Sequence, residues 1–170
     1  MFQNKVIIAL GTNVGHWKNN FNQAFFQLNK IGYITNFAPI YLSKPYGFKN
    51  QHFFYNTAIE FTTTINPTEL FKNIQIIEKN IQKNKVFPNG PRRIDLDIIF
   101  YNKIVLKKNY LTIPHPRSHL RDFVLYPIKD MNPFLVHPTM KKTVKELIKQ
   151  LRYNYIFKKI NRQKGSLLIY

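Results

Sequence analysis

The chain alternates between two kinds of hydrophobic pattern. An apolar run at 6–10 reads as a buried strand, and Gly11, Thr12 and Asn13 end it in a turn able to bring backbone amides near a ligand. Trp17, Phe21, Ala24, Phe25 and Leu28 recur at helical spacing, which predicts a helix over 17–30 closed by Gly32. A strand over 33–42 follows, with Pro39 restricting part of it to an edge or a bulge. The loop 44–53 is rich in aromatic residues, and 54–64 returns to a strand pattern interrupted by the polar Asn56. Asn66 and Pro67 have the chemistry of a helix start, and Leu70, Ile74, Ile77 and Ile81 form the stripe of that helix. After a basic stretch at 79–85 and a Pro- and Gly-bounded loop at 87–91, a further strand runs over 94–100. Short strands at 104–106 and 111–113, a proline-flanked loop at 114–117 and helices at 124–131 and 143–151 complete the pattern. The segment from Arg152 is read either as a docked end or as a frayed one.

This order of elements gives a fold expectation of the α+β class: a ferredoxin-like βαββαβ sandwich with an antiparallel sheet, helices on both sides of the core and an added C-terminal segment. In the bare motif the crossover helices cover one sheet face and leave the other to ligand. No repeat, low-complexity linker or change of composition divides the 170 residues, so one domain is expected over 1–161, with a basic extension at 162–170.

Charge and composition narrow the chemistry. Lys and Arg number 26 against 8 Asp and Glu, a net charge of +18, which favours an anionic partner. The abundance of Lys, Asn, Ile, Phe and Tyr spreads that charge and weakens it as a nucleic-acid signal. Cysteine is absent, which excludes disulfides, thiolate metal sites and a cysteine nucleophile. Neither a signal-peptide core nor an apolar stretch near 18 residues is present, so a soluble cytoplasmic protein without membrane contact is expected.

The densest candidate chemistry lies in 90–100. In a strand, alternate side chains share a face, so Asp95 and Asp97 point one way and Ile94, Leu96, Ile98 and Phe100 the other. Two carboxylates about 7 Å apart along a strand form either a cradle for a hard cation such as magnesium or a solvated edge neutralised by Arg92 and Arg93. His115, held between prolines, is either a ligand contact or a capping histidine. The loop aromatics either stack on a flat ligand or cover the core edge. Asn56, if buried, is satisfied by backbone or by a heteroaromatic ligand.

Several of these residues together resemble one family, over nearly the whole chain. Gly11-Thr12-Asn13, Phe54-x-Asn56, Gln75-x-x-Glu78, Gly90-Pro91-Arg92-Arg93-Ile94-Asp95-Leu96-Asp97, Pro114-His115 and Arg121-x-Phe123 are similar to the motifs of 6-hydroxymethyl-7,8-dihydropterin pyrophosphokinases of folate biosynthesis. The resemblance implies transfer of pyrophosphate from ATP to the pterin hydroxymethyl group, with two magnesium ions on Asp95 and Asp97. It implies pterin contacts from Ser43, Lys44, Tyr46, Phe54, Asn56 and Phe123. The triphosphate falls to Arg92, His115 and Arg121, with Lys83 and Lys85 reaching in from the preceding loop. Gln75, Glu78, Ile98, Leu111 and Thr112 are placed on the nucleotide side. The implied partners are small molecules rather than nucleic acid or membrane; a monomer is expected, and a chain this short leaves no room for a fused folate enzyme.

The chain departs from the family at three of these positions. Asn89 stands where a tryptophan is common, so one aromatic lid is missing and Asn89→Trp is expected to tighten pterin binding by about 1 kcal/mol. Lys83 and Lys85 replace two arginines, keeping charge but losing the bidentate fork. A ferredoxin-like RNA-binding module is the alternative of another class. The chain lacks that module's aromatic strand signature, and a bare aspartate pair would repel phosphate.

Overall fold

The computed structural model describes residues 3–82, 87 and 89–161; Lys83, Lys85 and the extension 162–170 lie outside them. β1 (Asn4–Thr12) is the central strand. Its odd and even positions serve two different cores, with Val6, Ile8 and Leu10 on one face and Ile7 and Ala9 on the other. It pairs antiparallel with β4 (Phe54–Thr63) on one side and β5 (Asp95–Tyr101) on the other.

The predicted strand over 33–42 is two strands, β2 (Tyr33–Phe37) and β3 (Ile40–Ser43), both paired with β4. Pro39 has no N–H to give to a ladder, and the break is held by the Thr57 hydroxyl, which donates to the carbonyls of Ala38 and Pro39. The segment after Arg152 docks: β8 (Ile156–Ile160) pairs antiparallel with β3. The sheet therefore has six strands, in the order β5-β1-β4-β3-β8 with β2 also beside β4. β6 (Leu106–Lys108) and β7 (Leu111–Ile113) form a separate hairpin. β6 starts two residues later than its pattern suggested, because Ile104 closes a turn through its N–H to the Tyr101 carbonyl.

α1 (Trp17–Leu28) and α2 (Pro67–Ile81) cover one sheet face. Asn66 caps α2 through its side chain, which accepts from the Glu69 N–H, and Leu70, Ile74, Ile77 and Ile81 are buried as their spacing predicts. Each such side chain contributes about 1.5–3 kcal/mol on removal from water. α1 stops two residues early. Gly32 serves close packing there rather than a helix cap, since a β-carbon on it would lie 2.4 Å from both the Thr62 carbonyl and the Phe61 ring.

The opposite face is not left open along its length. α3 (Asp122–Met131) and the short α4 (Val144–Ile148) pack Val124, Leu125, Ile128, Val144 and Leu147 against Ile7, Ala9, Ala58, Ile99 and Phe100. Phe100 was expected on the face of Ile98. A β-bulge sets Ile98 opposite Ile8 and Phe100 opposite Ile7, so Ile99 is an extra residue and the alternation inverts after it. What stays open is the end of this face beyond α3.

Candidate active site

The open end is floored by one row of the sheet. Tyr41, Asn56, Gly11 and Asp95 stand directly opposite one another on β3, β4, β1 and β5. Residues paired in this way point to the same face, so an amide, a bare backbone and a carboxylate lie side by side. Gly11 is part of the strand rather than of a turn, and its missing side chain makes the depression. A β-carbon there would stand 3.3 Å from Asn56 Oδ1 and 3.9 Å from the Asp95 β-carbon.

Asn56 is buried, and its donor is committed inside the protein. Nδ2 donates to Ser43 Oγ at 2.9 Å and to the Phe54 carbonyl at 3.2 Å. Oδ1, turned towards Gly11, is left as an acceptor for a ligand N–H. Phe54, Tyr46 and Phe123 wall this side, and Lys44 and Asn89 also line the cavity.

Asp95 and Asp97 follow on the same face, each side chain 36% exposed. Burial, and then the Asp97 charge, push Asp95 up to about 6 against the opposing pull of Arg92, Arg121 and His115. Asp97 is raised as well, by burial. An all-oxygen pair of mutually repelling carboxylates fits a hard divalent cation. No set of three or more His, Asp or Glu side chains converges on one point among the described residues, so the remaining ligands of such an ion would be substrate oxygens and water.

Cations surround the pair. Arg92 Nε lies 3.4 Å from Asp95 Oδ2, and its guanidinium sits 5.2 Å from the Phe54 ring centre. Arg121 stacks 4.8 Å from the Tyr46 ring and 5.8 Å from that of Phe123. Neither Nε atom has a hydrogen bond; that of Arg92 faces Asp95, whereas the buried Nε of Arg121 has no ion pair either, which suits an anion that arrives from outside. His115 Nε2 is 3.9 Å from Asp97 Oδ2, while Nδ1 accepts from the Arg117 N–H, which leaves the ring proton on Nε2. Burial, with Arg121 and Arg117 nearby, lowers His115 to about 4, so it is a neutral donor at physiological pH.

The loop bearing Arg92 is tied down by Asn13. Asn13 Oδ1 accepts from the Arg92 N–H, the N–H groups of Asn13 and Val14 donate to the Arg92 carbonyl, and Asn13 Nδ2 reaches Gln51 and His52. On the other side of β5, Glu78 Oε1 accepts from the Leu96 N–H at 2.7 Å, pinning the strand's outer edge to α2.

The structure thus brings Ser43, Lys44, Tyr46, Phe54, Asn56, Arg92, Asp95, Asp97, Arg121 and Phe123 to one cavity, with His115 against Asp97. Five other expected residues do not line it. Ile98 and Leu111 are buried on the α2 side, Thr112 is half-buried on β7, Gln75 is exposed on α2, and Glu78 serves the β5 backbone. Gly11 as the floor and Asn13 as the tie were not foreseen in these roles. Both lie in a motif that had been singled out, but their roles depend on which strands flank β1.

A family model for 7,8-dihydro-6-hydroxymethylpterin-pyrophosphokinase (HPPK) matches residues 7–133. Over 141 residues the chain is 36% identical to 2-amino-4-hydroxy-6-hydroxymethyldihydropteridine pyrophosphokinase of Aquifex aeolicus, spanning 83% of this chain and 88% of that protein. It is 39% identical over 144 residues to a folic acid synthesis protein of Dictyostelium discoideum, spanning 85% of this chain but only 22% of that much longer protein. A solved HPPK-DHPS structure from Plasmodium falciparum superposes with a TM-score of 0.69 over 88% of this chain and 45% of that one, at 18% identity, a likeness of fold. With the family model covering most of its length and most of its motifs gathered around one cavity, the chain belongs to the 7,8-dihydro-6-hydroxymethylpterin-pyrophosphokinase family.

Proposed function

We propose that the protein transfers the terminal pyrophosphoryl group of ATP to the hydroxymethyl oxygen of 6-hydroxymethyl-7,8-dihydropterin, giving AMP and the pterin diphosphate. The observation that carries this reading is the row Asn56, Gly11, Asp95, in which a committed amide, a gap and a carboxylate lie side by side. Asn56 Oδ1 accepts from an N–H of the pterin edge, and Phe54, Tyr46 and Phe123 enclose the ring. This aims the hydroxymethyl group across Gly11 towards the aspartates, so the reaction becomes a matter of positioning.

Asp95 and Asp97 would hold two magnesium ions, which would offset the phosphate charge and act as Lewis acids there. Arg92 and Arg121 would donate from their guanidinium groups to the phosphate oxygens, and His115 from Nε2 as a neutral group. Stabilising charge at the β-phosphorus is the main task of such a site. Lys83 and Lys85, on the loop before Arg92, add positive charge to the same side in this reading. Gln75, Ile98, Leu111 and Thr112 would take the adenosine across the outer edge of β5, with Glu78 holding that edge. The reading is of a monomer that acts on small molecules in the cytoplasm. The RNA-binding alternative is disfavoured because part of the sheet face is covered by α3 and α4 and the open part carries two carboxylates.

The test is a single incubation with ATP, magnesium and hydroxymethyldihydropterin. AMP and a pterin diphosphate are expected in equal amounts; ADP or free pyrophosphate as the product would overturn the assignment.

A further inference from the structure

Asp122 stands between Arg121 and Phe123, yet its side chain turns away from the cavity and is 1% exposed. Its carboxylate accepts three backbone N–H groups. Oδ1 takes that of Phe123 at 2.8 Å, and Oδ2 takes those of Tyr155 at 2.6 Å and Ile156 at 2.8 Å. A buried carboxylate held by three donors is a strong anchor, since charge-assisted bonds are about twice as strong as neutral ones.

Tyr155 completes the connection. Its carbonyl accepts from the Lys44 N–H at 2.8 Å. Its ring meets those of Tyr46 and Phe123 edge-on, with centres 5.4 and 6.0 Å apart. One wall of the cavity comes from the end of β3, the other from the start of α3, and within the substrate motifs nothing covalent joins them. Residue 155 bonds to both walls through its backbone and packs behind both with its ring. The strand that follows is fastened in turn: Lys159 Nζ lies 2.7 Å from Asp130 Oδ2, the same oxygen that accepts from the Tyr41 hydroxyl at 2.5 Å.

We propose that Asp122 and Tyr155 are positioning residues for the pterin, the C-terminal segment serving as a brace that fixes the spacing of the Tyr46 and Phe123 walls. The proposal rests on the reading that this cavity takes the pterin. Neither residue reaches the reacting atoms; both act through the rings that enclose the substrate. The brace is a device of residues far apart in the chain, as Asp122 precedes its two partners by 33 and 34 positions.

The experiment uses the full chain and measures the equilibrium binding of hydroxymethyldihydropterin, by its fluorescence, together with the KM for each substrate. Asp122→Ala is expected to weaken pterin binding and raise the pterin KM at least tenfold, with the ATP KM changed less than threefold. Asp122→Asn keeps an oxygen for the N–H groups of Tyr155 and Ile156 and is expected to restore pterin binding to within threefold of wild type. If Asp122→Ala does not fold, Tyr155→Ala carries the test, because it leaves the backbone bonds and removes only the ring. It should reproduce the loss, and Tyr155→Phe should rescue it. Wild-type pterin affinity in folded Asp122→Ala and Tyr155→Ala, or an equal rise of both KM values, overturns the brace. Failure of the wild-type protein to bind the pterin at all overturns instead the reading of the cavity on which it rests.

Discussion

Replacing Gly11 by alanine adds one methyl group at the centre of the pocket floor, where the structure sets stability and binding against each other. The new carbon would lie 3.8 Å from the Phe54 ring and 3.9 Å from the Asp95 β-carbon, both ordinary contacts, and 3.3 Å from Asn56 Oδ1, which is tight. The unfolded chain loses freedom with alanine, which favours the folded state by about 0.4–1 kcal/mol. A shift of a few tenths of an ångström by Asn56 offsets part of that gain, so the net change should stay within about 1 kcal/mol of zero. Binding should respond differently. The methyl covers Oδ1, while Nδ2 is already committed to Ser43 and the Phe54 carbonyl, so a pterin N–H would be buried without its acceptor. That penalty is about 1–3 kcal/mol, or roughly 5- to 150-fold in Kd. Calorimetric titration with the pterin, run beside urea unfolding, reads both quantities. Unchanged pterin affinity with a wild-type unfolding midpoint would refute the placement of the pterin edge over Gly11.

Asp97→Ala should lower turnover by at least about 100-fold to 1,000-fold while leaving metal-free stability at neutral pH unchanged or higher, because one of two repelling carboxylates is gone. Substantial AMP release by the folded variant would remove the cation cradle. Burial, reinforced by the Asp95 and Asp97 charges, pushes Glu78 from 4.5 up to about 8. The folded protein therefore holds this proton more tightly than the unfolded chain does. Its contribution to stability is present below about pH 4.5 and is lost as pH rises through about 8. Glu78→Gln keeps the acceptor for Leu96 and cannot charge, so its melting temperature relative to wild type should climb between pH 5 and 8.5; a difference that stays flat contradicts the shift. Asn89 adopts a left-handed backbone, φ 59°. Asn89→Trp should therefore lose about 1 kcal/mol of stability while still gaining about 1 kcal/mol in pterin binding from the added ring. The strain is common to the free and bound states and cancels from Kd. Denaturation and fluorescence titration check the two halves, and a more stable variant would show that the backbone had relaxed.

Local periodicity carried much of the fold. The stripes of α1 and α2, the Asn66 cap and the alternation that sets Asp95 and Asp97 on one face all lie within short windows, and all three are present. What went unread depends on neighbours distant in sequence. The inversion at Phe100 comes from a bulge defined against β1, the break at Pro39 is held by Thr57, and the docking of β8 needs β3 as its partner. The site divides in the same way. Residue types in motifs pointed to Asn56, Arg92, Asp95, Asp97, His115, Arg121 and Phe123, while the adjacency of Asn56, Gly11 and Asp95 is a matter of strand order. Asp122 gave no signal because its partners are backbone atoms, which any residue supplies, and Tyr155 gave none because its ring meets Tyr46 and Phe123 only once the C-terminal segment has docked.

Two of the border strands of the sheet, β5 and β8, have a consequence for colloidal behaviour. A border strand with free N–H and C=O groups is a template on which another chain can add. On β5 the Leu96 N–H is taken by Glu78 and the Ile99 carbonyl by the His115 N–H. On β8 the exposed Phe157 is followed by Lys158, a charge that opposes a second copy approaching in register. Holding the aspartate strand at a border keeps its carboxylates accessible to solutes, and Glu78 and His115 let it lie there without inviting strand-to-strand aggregation.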